Sequence, residues 1–277
     1  MKKFSFLKKS SWRTLAGISV FVTVIAAGSV AYATHSWGNY HWARTANPFT
    51  LKLGDNVSTA WDAYLAGASS DWSRSNVLDT TVVAGNNINP KSCKPTIGRV
   101  EVCSAKYGFN GWLGVAQIWA NGNHITQGIT KLNDSYFTTA TYNTPPWRRL
   151  VACQEIGHNF GLGHQDENFS NPNLGTCMDY TNDPDGTLKG QLSNEHPNAH
   201  DYEELGIIYQ HLDGSTTISA GAPSGSGKSG LVITDASEPS AWGTALRNDS
   251  NGRPSLYGRD LGNGQKLFTF VLWANGR

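Results

Sequence analysis

Apolar positions recur with helical spacing in three stretches of this chain and alternate, or cluster as β-branched runs, in several others. Val57, Ala60, Trp61, Tyr64, Leu65 and Ala68 lie on one face of a helix beginning near Asn56. Shorter runs at about Thr80–Val83, Arg99–Cys103, Gly114–Ala120 and His124–Leu132, separated by Gly, Asn and Pro turns, predict strands. Asn143-Thr144-Pro145-Pro146 predicts a helix start, with a capping side chain and proline in the first turn, where its missing N–H costs nothing. That helix should run through Trp147 to about Phe160 and stop at Gly161, the residue type that most easily takes a left-handed end. Tyr202, Leu205, Ile208, Tyr209 and Leu212 mark the third helix. Residues 34–54, dotted with Trp and His, read as irregular.

The ends of the chain differ from this middle. Lys2, Lys3, Lys8, Lys9 and Arg13 precede an apolar block from Leu15 to Val30, and Ala31-Tyr32-Ala33 supplies a small-x-small cleavage pattern. Residues 1–33 are therefore expected to be a signal peptide, and the protein to be secreted. An uncleaved anchor is the rival reading, since the block approaches bilayer-spanning length. Cleavage removes five basic residues, so the net formal charge falls from +1 to −4. No basic run remains to attract nucleic acid or an anionic membrane. Residues 214–230 have the Gly/Ser-rich composition of a flexible linker, and 231–277 read as a small β-rich C-terminal tail. Cys93, Cys103, Cys153 and Cys177 in an exported chain read as two disulfides with three possible connectivities. A four-cysteine metal site is the rival, and it lacks a Cys-x-x-Cys pair.

The chemistry concentrates in LVACQEIGHNFGLGHQDE, from Leu150. Gln154 and His158 are four apart and project from one helix face, with Glu155 on the same side. Gly161 turns the chain so that His164 can swing back toward the same point. Met178 and Tyr180 follow in the loop before the last helix. Two imidazoles at that four-residue spacing beside a glutamate are the usual zinc-peptidase arrangement, extended by a glycine, a third histidine and a methionine turn.

On these residues the chain resembles the metzincins, zinc endopeptidases with the pattern HExxHxxGxxH and a methionine turn. Here the string is QExxHxxGxxH, with Gln154 in the first ligand position. The resemblance is specific over about 146–180, extends plausibly over 50–213 and leaves out the tail. It implies an α+β fold with a twisted mixed sheet, an active-site helix and a small C-terminal subdomain, making 34–213 a catalytic domain. It also implies that His158 and His164 hold one Zn2+, with Gln154 as a weaker third ligand through its amide oxygen. Glu155 would take a proton from zinc-bound water, Met178 would form the apolar floor, and Tyr180 would bind the metal or steady the oxyanion. With the methionine turn packed under the helix, Cys153 and Cys177 come together, leaving Cys93 to Cys103.

The resulting expectation is a secreted zinc metalloendopeptidase acting on protein or peptide substrates, with no nucleic-acid or membrane partner and no stated oligomeric state. The alternative is an inactive metzincin-like protein that uses the cleft as a recognition groove. Asp166, His35, His41 and His124 are rival third ligands, whereas His196, His200 and His211 read as structural. Asp166-Glu167 and Asn182–Gly186 offer oxygen ligands for Ca2+ but lack the full spacing of a calcium loop.

Overall fold

In a computed structural model, residues 1, 34–219 and 238–274 are described. Residues 2–33, which carry the expected signal peptide, and 220–237, which carry most of the expected linker, lie outside the described residues. The chain divides into two compact units, 1–32 and 33–277, and every element described belongs to the second.

The strands are β1 (His41–Trp42), β2 (Phe49–Asn56), β3 (Leu78–Ala84), β4 (Val100–Ala105), β5 (Trp112–Asn121), β6 (His124–Asn133), β7 (Thr244–Asn248), β8 (Pro254–Gly262) and β9 (Gln265–Trp273). The helices are α1 (Asp62–Trp72), α2 (Pro145–His158) and α3 (Ala199–Ile208). Among the described residues the strands form one mixed sheet in the order β3-β2-β4-β6-β5-β9-β8-β7, with β1 pairing β6. Strands β3, β2, β4 and β6 run parallel, and β5, β9, β8 and β7 are joined by antiparallel pairings. The fold class is α+β.

The start of the first helix moved. The first helix starts at Asp62 because the chain before it is already in the sheet: Phe49, Leu51 and Leu53 alternate inward along β2. The irregular reading of 34–54 missed that period-two signal. At α2, Thr144 is extended and precedes proline as expected, but its side chain makes no capping hydrogen bond. The α3 start is capped fully, with Asp201 N–H on Asn198 Oδ1 (3.1 Å) and Asn198 N–H on Asp201 Oδ2 (2.7 Å).

The larger correction concerns the tail. Residues read as an appendage beyond a linker supply β7, β8 and β9 to the same sheet, and β9 pairs along nearly the whole of β5. The reason lies in the run QKLFTFVLW. Phe268, Phe270 and Leu272 join the core under the helices, while Leu267 and Val271 pack on the opposite face with Trp112, Val115 and Trp119. A strand buried on both faces belongs inside a sheet. Residues 214–219 are also tied down, through Thr217 N–H to Ala43 O (3.0 Å) and Ser219 N–H to Gly98 O (3.0 Å).

Candidate metal and active site

Helix α2 packs on α1 and on β5, β6 and β9, and the Trp72 indole donates to Cys153 O (3.1 Å). This fixes the helix face carrying Gln154 and His158. The helix gives way to a turn at Gly161, whose φ of +100° is the left-handed conformation that glycine takes without cost. A Cβ there would also lie 2.7 Å from Tyr40 O. Past this turn His164 comes back to His158, with ring centroids 4.5 Å apart and planes at 86°.

Each candidate ligand is held by its other polar atom. His158 Nδ1 meets Leu162 O at 2.8 Å, and His164 Nδ1 meets Glu167 Oε1 at 2.6 Å. A carbonyl and a carboxylate can only accept, so each Nδ1 carries a proton and each Nε2 is the ring atom left to ligate. Gln154 Nε2 donates to Cys177 O (2.8 Å), which leaves its amide oxygen as the free acceptor. Gln154 Oε1, His158 Nε2 and His164 Nε2 are all buried without a hydrogen-bond partner. Buried lone pairs without a donor are costly, and a bound cation is the kind of partner that relieves them. The donor set fits zinc, with the neutral amide as its weakest member. Burial, then the neighbouring His164, holds the His158 imidazole well below its ordinary pKa, so the ring stays neutral and able to ligate.

Glu155, the residue after Gln154, is fully buried. Burial pushes its carboxyl well above the usual range, against the opposing N–H groups of Leu272 and Ala116. Neither N–H closes a hydrogen bond of good geometry to it. Met178 is fully buried under the helix, and a Cβ on Gly157 would sit 2.8 Å from its sulfur. The disulfide Cys153–Cys177 joins helix to turn, and Cys93–Cys103 joins the segment before β4 to β4 itself. Tyr180 lies with its ring 4.6 Å from His164, but its hydroxyl donates to Val271 O (2.9 Å).

Strand β9 covers this centre. Phe270 stacks on His158 at 4.0 Å and 11°, Leu272 lies over Glu155, and Val271 takes the Tyr180 hydroxyl. The other added strands reach the site as well. Ser255 of β8 donates to Glu167 Oε2 (2.8 Å), and Arg247 of β7 lies 3.5 Å from Glu167 Oε1, the oxygen that backs His164. None of Gln154, Glu155 and His158 is exposed at all, and His164 is only 5% exposed. The pattern in α2 held no sign of this cover.

The rival ligands have partners of their own. Asp166 Oδ1 accepts from Asn168 N–H (2.6 Å) within its own loop. Asp183 is engaged by Leu188 and Lys189 N–H, and Asp185 by Thr187, so these carboxylates of the proposed calcium segment serve their own turns. His35 meets Asp201 at 3.1 Å beside His200 and Glu204. His41, His124 and His211 gather on Asp213, a grouping that no local spacing announces.

No family model and no curated protein matches the sequence. Among solved structures, the chain is similar to high choriolytic enzyme 1, a hatching enzyme zinc-protease from Oryzias latipes (medaka fish). That match covers 61% of this chain and 94% of the enzyme at 11% identity, with a TM-score of 0.35. A likeness of that size carries no argument, and the chemistry has to be judged on this chain's own residues.

Proposed function

We propose that this protein is a secreted zinc metalloendopeptidase whose own C-terminal strand closes the cleft. The supporting observation is the set of three buried lone-pair atoms, Gln154 Oε1, His158 Nε2 and His164 Nε2, together with the buried Glu155 carboxyl. These three side chains would hold the metal, and zinc there supplies the Lewis acidity that polarises a peptide carbonyl and activates water. Glu155 is the group placed to take a proton and return it to the departing amine. Glu167 and the Leu162 carbonyl keep both imidazoles in the ligating tautomer, and Met178 packs beneath them.

Strand β5 is the rim along which an extended peptide would pair by strand addition, and β9 now takes that place in antiparallel register. Turnover therefore requires β9 to leave, which would also rehydrate Glu155 and free the Tyr180 hydroxyl. The recognition-groove alternative faces the same obstacle, because its groove is filled by the same strand.

The test is zinc content and peptide-library turnover of the mature chain, before and after cutting at a protease site engineered between residues 220 and 237. Zinc at this centre, with turnover rising after the cut, is the expected result. Glu155→Ala should keep the zinc and lose turnover by a factor of about 100 to 10,000. Gln154→His should tighten zinc binding by about tenfold or more, since imidazole replaces an amide. Unchanged affinity would remove Gln154 from the metal. A cut chain that holds no zinc here and cleaves nothing leaves the non-enzymatic reading standing.

A further inference from the structure

Away from α2, three imidazoles meet around one carboxylate oxygen. His41 on β1 and His124 on β6 face each other in register across a parallel pair. His211 and Asp213 follow the end of α3. Asp213 Oδ1 lies 3.4 Å from His41 Nε2, 3.3 Å from His124 Nε2 and 3.6 Å from His211 Nε2. His41 Nε2 and His211 Nε2 are 3.2 Å apart. From these separations we infer that His41, His124 and Asp213, whose ligand atoms all lie within 4.8 Å of one another, form a zinc site independent of the α2 centre, with His211 at its rim as a fourth donor that closes on the ion.

These four separations are close to those between neighbouring donors of a coordination shell. With zinc–nitrogen and zinc–oxygen bonds of about 2.0–2.1 Å, neighbouring donors of a tetrahedron stand about 3.3–3.4 Å apart. Hydrogen bonding alone accounts for the cluster poorly. A carboxylate oxygen has two lone pairs and cannot satisfy three imidazole donors, and the His41–His211 contact needs one ring to donate and the other to accept. A cation held by His41, His124 and Asp213, with His211 closing on it, satisfies all four groups.

Outer partners orient the donors toward that centre. His41 Nδ1 meets Asn39 O at 2.8 Å, which puts a proton on Nδ1 and leaves Nε2 as the atom facing the centre. Arg44 takes the other carboxylate oxygen, through its N–H at 3.1 Å and its guanidinium at 2.9 Å, leaving Oδ1 for the metal. The side chains of His41 and Asp213 are 7% and 9% exposed, while those of His124 and His211 are 40% and 51% exposed. Two ligands are thus preset and two can close on an ion arriving from solvent. A cavity of about 370 Å³ lined by His41, His211 and Asn123 gives the approach. Bound zinc would tie β1, β6 and the segment after α3 together.

The experiment uses the full mature chain and its His124→Ala/His211→Ala variant, with zinc alone as the probe. Bound zinc is counted after equilibrium dialysis, and cobalt substitution supplies a visible spectrum of tetrahedral coordination. Wild type should bind one more zinc than the variant. Zinc at 100 times Kd should raise the wild-type Tm by about 5–10 °C through this site and leave that increment out of the variant. Far-ultraviolet dichroism of both proteins without metal should coincide, because both replaced side chains lie at the surface. One zinc in wild type and none in the variant upholds this site while sinking the peptidase reading. Equal zinc counts in the two proteins overturn this site whatever the α2 centre does.

Discussion

The two histidine centres of this molecule are built in opposite ways. The α2 centre draws Gln154, Glu155, His158 and His164 from eleven consecutive residues, buries them all and lies under β9. The centre around Asp213 draws four residues from β1, β6 and the end of α3, and leaves two of its imidazoles about half open. A helix and one turn suffice to place ligands within a motif, but a motif cannot say whether solvent reaches them. Ligands brought from separate strands require the whole sheet first. Access and assembly are therefore distinct properties, and the comparison can be broken at either.

The largest effect should come from the cover. Phe270→Ala removes a fully buried ring stacked on His158 and should cost about 3–5 kcal/mol in urea unfolding. On the proposed function, the same variant should show peptide turnover without any cut. A loss below about 1 kcal/mol would mean that β9 is a loose lid rather than part of the core.

The next effect tests burial through pH. Asp179, directly after Met178, has its carboxyl pushed up to about 7, by burial first and with the charge of Asp166 adding to it. The N–H of Leu174 and the Asn194 amide work against that rise. The folded chain therefore keeps a proton that the unfolded chain releases near pH 4. Its contribution to stability is fully present below about pH 4 and is lost as pH rises to about 7, up to about 4 kcal/mol in all. Asp179→Asn should flatten the stability profile across that window in metal-free protein. An unchanged slope would place the titration elsewhere.

The smallest effect belongs to the open centre. Without zinc, His211→Ala should change stability by no more than about 0.5 kcal/mol, as for a surface substitution away from special packing. A cost above 1 kcal/mol without metal would make His211 a structural partner of His41 and erase the contrast between the two centres.

Much of the layout could be read directly. The runs predicted for β3 to β6 and the start of α2 stand within a few residues, because period two and the proline-led helix start are local signals. In β2 the period-two signal of Phe49, Leu51 and Leu53 is short and follows a segment dense in Trp and His, so it stands out weakly from its surroundings. The tail was read as an appendage because a composition change looks like a boundary, whereas its apolar run has one use: to be covered on both faces.

The spacing of Gln154, Glu155 and His158 on one helix face and the turn at Gly161 follow from local sequence, since helix periodicity and the φ freedom of glycine act over a few residues. The position of β9 over that face and the meeting of His41, His124 and His211 at Asp213 come from the assembled sheet. Those outcomes depend on which strands pair across up to about 170 residues of chain, a choice set by burial over the entire sheet and not written in any single stretch.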